Sequence, residues 1–330
     1  MCTVCVDAMG GDETPEVVLR GVEAALAQDE TIRVLVAGDE EVVVPFCARH
    51  ERARALVTTQ VIGMGEHPAD AVRAKRDSSI VRGLASVGAH EADAFFSAGS
   101  TGAVFAAATL GVGRIRGVRR PCIAATIPGS SGRPTVFLDM GANADARPEM
   151  LVQFAQMGRA YATVVVGAAA PRVALLSNGS EKAKGSQAAL AAHAALAEAG
   201  RGWFCGNCEG TDLLAGTFDV IVTDGFTGNV ALKAIEGCAR FILGELKGAV
   251  HDSRRAALGA LLLKPALRGV AAGLSGDELG GALLLGVKAP VLIGHGATSA
   301  DAVKNGTLAC ARLVRTRLVD KIGHEISPGS

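Results

Sequence analysis

The chain has 330 residues, 49% of them hydrophobic, enough to bury a large core either as one α/β unit or as two lobes. Lys plus Arg and Asp plus Glu number 33 each, so the formal net charge is zero, and aromatic residues make up only 4%. A general nucleic-acid binder carries a basic excess or stacking aromatics, so that class is disfavoured.

The N-terminus enters a strand at once, Cys2 to Asp7, without a charged-then-apolar leader, and the expectation is a cytosolic protein. This strand gives way at Gly10-Gly11 to a helix in which Pro15 suits an early position. The succession of strand, Gly-rich turn and helix recurs at 92–110, 134–158, 171–196, 218–243 and 289–314. Six such units predict a largely parallel, doubly wound sheet with helices on both faces, a three-layer α/β fold. The 42 glycines follow no triplet repeat and fit positional use in these turns. In "VTDGFTGNVALK" (222–233), Gly225 and Gly228 bracket the turn and Asn229 is expected to open the helix.

Every such turn leaves the carboxyl end of a parallel strand, so the turns are expected along one edge of the sheet, where open α/β folds bind ligands. Helices starting there direct free N–H groups and partial positive charge into one crevice, which favours an anion such as phosphate. No G-x-x-x-x-G-K-[ST] is present and no G-x-G-x-x-G follows the first strand, which argues against a P-loop and against the usual dinucleotide fingerprint. Two C-x-x-C pairs, Cys2/Cys5 and Cys205/Cys208, read as buried thiols: residues three apart on a strand face opposite ways, and the second pair lacks a thioredoxin-like setting. No metal and no cofactor is expected. The longest uncharged apolar stretches, such as 103–113, fall short of the ~18–20 residues that span a bilayer.

Seven motifs in order give the chain a resemblance to a known family. They are "VDAMGGD" (6–12), "HPADAVRAKRDSSIVRGL" (67–84), "SAGSTGA" (97–103), "RPCIA" (120–124), "LDMGANADARPEMLVQFAQMG" (138–158), "DGFTGNVALKAIEG" (224–237) and "GGALLLGV" (280–287), followed by "HGATSADAVKNG" (295–306). Over nearly its full length the sequence resembles the bacterial phosphate acyltransferases of the PlsX family. The resemblance implies transfer of a long-chain acyl group from acyl carrier protein to inorganic phosphate, giving acyl phosphate for phospholipid synthesis. It also implies a fold similar to isocitrate and isopropylmalate dehydrogenases, a homodimer, and peripheral association with the inner face of the membrane, near a downstream glycerol-phosphate acyltransferase. The alternatives are a phosphotransacetylase-like enzyme using acyl coenzyme A, or a membrane-associated scaffold of weakened activity.

Phosphate is itself the nucleophile in such a reaction, so the site must hold a dianion beside a thioester, stabilise an oxyanion and exclude water. The phosphate-binding candidates are Gly10, Gly11, Gly99, Ser100, Thr101 and Gly102. Lys184 reads either as the nearby cation or as a solvated lysine; Asn143 and Asn229 read as oxyanion donors or helix caps. His295 follows a strand and could protonate the leaving thiolate, bind phosphate, or serve as a hydrogen-bonded structural residue. Against the family pattern, Ser100 stands for the usual asparagine, Ser180 for an acid, Thr211 for an arginine and Leu283 for a proline.

For partners, "RIRGVRR" with Arg114, Arg116, Arg119 and Arg120 is the densest basic stretch and could dock the acidic acyl carrier protein, or be an ordinary solvated connection in which Arg120 is structural before Pro121. The resemblance implies a single unit, 1–330, with a helical hairpin inserted at about 235–277. Within "LGALLLKPALRGVAAGL" (258–274), Leu261, Leu262, Leu263 and Leu267 belong to an apolar tip that could meet membrane or a dimer partner.

Overall fold

The computed structural model describes residues 1–13, 15–251, 280–296 and 298–327. The hairpin expectation at Leu261, Leu262, Leu263 and Leu267 lies outside the described residues.

The strands are β1 (Cys2–Asp7), β2 (Ile32–Gly38), β3 (Ala53–Val57), β4 (Ala94–Ser97), β5 (Cys122–Ile127) and β6 (Thr135–Leu138), then β7 (Val173–Leu176), β8 (Phe204–Cys208), β9 (Val220–Val222), β10 (Ala282–Leu285) and β11 (Val291–Ile293). The helices are α1 (Pro15–Gln28), α2 (Glu40–Cys47), α3 (Pro68–Ala74), α4 (Ser79–Gly88), α5 (Thr101–Gly111), α6 (Pro148–Tyr161), α7 (Gln187–Ala199), α8 (Gly225–His251), α9 (Ala300–Arg315) and α10 (Leu318–Ile326).

All eleven strands form one sheet in the order β3-β2-β1-β4-β11-β10-β5-β6-β9-β7-β8. Alternation along each strand divides the core in two. Val4 and Val6 pack on one face and Cys5 on the other; Val136 and Leu138 oppose Phe137, and Leu283 and Leu285 oppose Leu284. One core takes residues from α1, α6, α7, α9 and α10, the other from α3, α4 and α5. With both faces covered, β4, β6, β7 and β9 are buried throughout, which is why they read as unbroken apolar runs. Cys2 and Cys5 fall into opposite cores, as strand geometry requires.

The sheet is mixed, and this corrects the expectation of one ligand edge. β3, β2, β1, β4 and β11 are parallel to one another, and so are β6, β9, β7 and β8. Between them β10 pairs antiparallel with both β11 and β5, and β5 pairs antiparallel with β6. The two parallel halves therefore run in opposite directions. The turns after β1, β4 and β11 leave one edge, and those after β6, β7 and β9 leave the other.

Candidate active site

At the first edge the carboxylate of Asp7 is fully enclosed. Its Oδ2 accepts from Ser97 Oγ at 2.7 Å and its Oδ1 from Met9 N at 3.0 Å. Burial pushes the carboxyl above its ordinary range, and hydrogen bonds from Ser97, Ser79, Met9 N and Gly10 N oppose that shift. Gly99 N donates to Ser97 Oγ at 2.9 Å. A Cβ on Gly10 would lie 2.5 Å from Asp7 Oδ2 and 2.7 Å from Gly99 N, so the first of the paired glycines serves close packing. Gly11 adopts φ +107° under Gly296 O, and Asp12 N donates to that same oxygen at 2.8 Å. The N–H groups of Gly10 and Gly99 thus serve the Asp7–Ser97 cluster.

What remains at this edge is the start of α5. Ser100 is buried at its N-cap without a side-chain capping bond, Thr101 is exposed, and Gly102 abuts Pro68. The first-turn N–H groups have no partner within the helix. Thr298, in the turn after β11, is also buried with its Oγ1 unpartnered. His295 is exposed and makes no side-chain hydrogen bond among the described residues.

At the second edge an open cavity of about 1600 Å³ lies over the ends of β6, β7 and β9. Its floor is organised by Asp139, fully buried, which accepts from the backbone N–H groups of Ile123 (3.0 Å), Gly141 (3.3 Å), Ala142 (3.1 Å) and Asn143 (2.8 Å). Burial pushes this carboxyl up as well, against those hydrogen bonds. Asn143 Nδ2 donates to Asp139 Oδ2 and to Pro121 O, both at 2.8 Å. Both amide protons of Asn143 are therefore engaged inside the protein, tying the turn after β6 to the start of β5.

The 222–233 stretch closes one wall. α8 starts at Gly225, four residues before the expected Asn229, because Asp224 supplies the cap: its Oδ1 accepts from Thr227 N and its Oδ2 from Thr227 Oγ1, both at 2.8 Å. Gly225 N donates to Asn143 O at 2.7 Å. A Cβ on Gly228 would fall 1.9 Å from Asp139 O, so only glycine lets the helix approach the strand so closely. Asn229 is exposed, with its side chain beside Gly141.

The cavity lining carries three arginines against two aspartates, Asp145 and Asp224. Arg119, Arg120 and Arg147 line it, and none makes a side-chain ion pair among the described residues. Arg147 is the N-cap of α6, and Glu149 in the first turn supplies the negative charge that the helix dipole favours there. Ser177, with its hydroxyl unpartnered, and Asn178 complete the far wall. Lys184 is exposed in the turn that continues through Gly185 and Ser186 to this wall; Asn207 Nδ2 braces that turn by donating to Glu181 O at 2.9 Å.

The predicted site residues thus fall into two groups. Gly10, Gly11, Gly99, Ser100, Thr101, Gly102 and His295 belong to the first edge; Asn143, Lys184 and Asn229 belong to the second. Lys184 is not a neighbour of the Gly-Gly turn, as expected from a single edge. Arg147 and Asn178 were missed as candidates. For Arg147 a signal existed, an arginine directly before Pro148 and a helix start at a strand's carboxyl end.

A model of the family described as "Fatty acid synthesis protein" matches residues 2–321. Curated phosphate acyltransferases are similar over nearly the whole chain. That of Leuconostoc citreum is 43% identical over 326 residues, covering 98% of this chain and 94% of the relative. That of Geobacillus thermodenitrificans is 43% identical, covering 98% of each. The chain belongs to the phosphate acyltransferase family. Its activity is phosphate acyl transfer, in fatty acid and phospholipid synthesis. Among solved structures, a phosphotransacetylase from Streptococcus pyogenes aligns with TM-score 0.61 at 16% identity over 95% of this chain and 94% of the other. A phosphotransacetylase, EutD, from Staphylococcus aureus aligns with TM-score 0.56 at 18% identity, covering 95% and 94%. Those two likenesses concern the fold.

Proposed function

We propose that this phosphate acyltransferase takes a long-chain acyl group from acyl carrier protein and that the reaction occurs in the cavity at the second edge. A phosphate oxygen attacks the thioester carbonyl, a C–O bond forms, and the tetrahedral oxyanion collapses with cleavage of the C–S bond; the thiolate then takes up a proton. The observation that supports this reading is the set of arginines, Arg119, Arg120 and Arg147, which line the cavity together with Asp145 and Asp224 and make no ion pair among the described residues. Such cations hold phosphate and stabilise the developing oxyanion. Lys184 adds an exposed charge in the turn after β7, and Asn229 of α8 lies beside Gly141 in the turn after β6. Asn143 acts through Asp139 as a positioning residue.

A second location for phosphate is the first turn of α5, with Ser100, Thr101 and Gly102 beside the Gly10-Gly11 turn and His295. The uncapped start of α5 and the unpartnered Thr298 hydroxyl favour it. The proposed assembly is a homodimer of isocitrate dehydrogenase-like subunits, acting on the inner membrane surface beside the acyltransferase that consumes acyl phosphate. Phe226, Val230, Phe241 and Ile242 expose an apolar flank on α8 that supports contact with a second copy or with lipid.

The test is phosphorus NMR or labelled phosphate with long-chain acyl carrier protein and, separately, long-chain acyl coenzyme A. Acyl phosphate from the carrier-bound donor supports the reading; turnover with coenzyme A thioesters alone overturns the choice of donor. Asn229→Ala with unchanged kcat and phosphate KM would reduce that side chain to scaffolding.

A further inference from the structure

Beside the cavity, on the same edge of the sheet, runs a groove built from two abutting depressions of about 330 and 380 Å³ that share Lys288, Arg317, Val319 and Asp320. One end is bordered by His90 and Pro290, the other by Arg116 and His324. Its place in the fold follows from strand direction. Lys288 to Pro290 precede β11 and Asp93 precedes β4, so the groove opens at the amino ends of the first half-sheet. Because the halves run oppositely, that is the edge at which the cavity lies.

The groove carries a small basic excess, Lys288, Arg116 and Arg317 against Asp93 and Asp320, in a chain of zero net charge. Lys288, Arg116 and Arg317 are exposed, as are His90 and His324. Its carboxylates already have partners: Asp93 Oδ2 accepts from Thr3 N at 2.8 Å, and Asp320 Oδ2 from Arg317 Nε at 2.7 Å. Lys288 and Arg116 make no ion pair among the described residues. The two non-glycine residues with positive φ among the described residues, His90 (61°) and Arg317 (54°), both border this groove. A left-handed backbone is unfavourable for such side chains, and its concentration at one place marks a surface whose shape the fold maintains.

The connection to the cavity is rigid. Arg114 donates to the carbonyls of Val118 and Arg119, and Gln153 of α6 holds the same segment from outside, accepting from Arg119 N at 2.9 Å and donating to Gly117 O at 2.8 Å. Along this braced stretch Arg116 borders the groove while Arg119 and Arg120 line the cavity. The expectation of one docking patch at Arg114, Arg116 and Arg119 is thereby redistributed: Arg114 is engaged locally, Arg119 faces the cavity, and Arg116 joins Lys288 and Arg317 from distant parts of the chain.

We propose that this groove docks the acidic surface of the protein that carries the acyl thioester, and that the 114–120 segment leads the tethered thioester from the groove into the cavity. The inference rests on the carrier-bound donor of the preceding section. Charge complementarity and continuity with the rim of the cavity select this occupant.

The test compares wild type with Lys288→Glu and with Lys288→Glu/Arg317→Asn, asparagine being tolerant of the left-handed backbone. Thermal unfolding verifies that each variant is folded. For the double variant, KM for long-chain acyl carrier protein is expected to rise at least about tenfold at low salt, with its salt dependence flattened. KM for a long-chain acyl coenzyme A donor and for phosphate should stay within about twofold, since loss of a docking charge affects encounter alone. Wild type active with the carrier donor and a double variant with unchanged carrier KM would overturn the groove while leaving the donor reading intact. An equal rise for both donors would place these residues in the reaction site and overturn docking. Wild type that turns over coenzyme A thioesters but not the carrier-bound donor would overturn both.

Discussion

At the first edge Asp7 lies beneath paired glycines whose backbone is closed around it, and the N–H groups of Gly10 and Gly99 are engaged within the protein. At the second edge Asp139 draws at least four backbone N–H groups and an amide inward and leaves a space of about 1600 Å³ above them, rimmed by arginines. The same motif grammar therefore has two outcomes. A Gly-rich turn after a parallel strand can be consumed by packing, as at Gly10, or can serve as a stiff floor for side chains that approach from elsewhere, as Asp139 does for Arg120 and Arg147. Counting glycines cannot separate these; following each donor to its acceptor does.

The largest effect should come from removing the buried carboxylate of the second edge. Asp139→Ala strands the donors of Ile123, Gly141, Ala142 and Asn143 and should destabilise the protein by at least about 3 kcal/mol in urea unfolding. A cost as small as that of an exposed substitution would show the turn to be held by other contacts. Next, Arg120→Ala and Arg147→Ala should each lower kcat/KM about 10- to 100-fold, or roughly 1.5–3 kcal/mol, with little change in thermal stability. Unchanged kinetics in both variants would move the reaction away from the cavity.

The strand, turn and helix units were legible because periodicity and glycine punctuation are local signals. Direction in the sheet is not local. Nothing within β5, β6 or β10 marks it as the element where the sheet reverses; the reversal is set by the connection 128–134 and by the pairing of β10 between β11 and β5. From that one global feature follows the separation of Lys184 from Gly10. Asn229 illustrates a smaller failure: its motif was recognised, but Asp224 wins the cap because its carboxylate reaches Thr227 N. The groove at Lys288 and Arg317 was invisible for the same reason as the reversal, since these cations lie 172 and 201 positions beyond Arg116.

A change of pH tests whether Asp7 is only structural. Its carboxyl is raised by burial, so the native state retains the proton more tightly than the unfolded chain does. The corresponding stability is fully present below about pH 4, the unfolded value, and declines as pH rises through the higher folded value. Asp7→Asn cannot ionise and lacks that decline. Its destabilisation relative to wild type should therefore be smaller at pH 8 than at pH 4.5, by about 1.4 kcal/mol for each pH unit by which the folded ionisation lies above pH 4.5. A constant difference between the two pH values would place the folded ionisation near its ordinary position.

The smallest expected effect decides where phosphate binds. The N-terminus of α5 carries partial positive charge, and Thr101 is exposed at its first position. A carboxylate there is favourable for the helix by about 0.3–1 kcal/mol. If phosphate binds in the second-edge cavity, Thr101→Glu stabilises the protein slightly and leaves phosphate KM unchanged. If phosphate binds at α5, the new carboxylate occupies the same field and repels the substrate, so phosphate KM rises while thermal stability still increases. The helix gains in both cases, so the stability measurement verifies that the carboxylate has reached the dipole. The kinetic measurement alone then distinguishes the edges, and a rise in KM would transfer the anion site from Arg120 and Arg147 to Ser100 and Thr101.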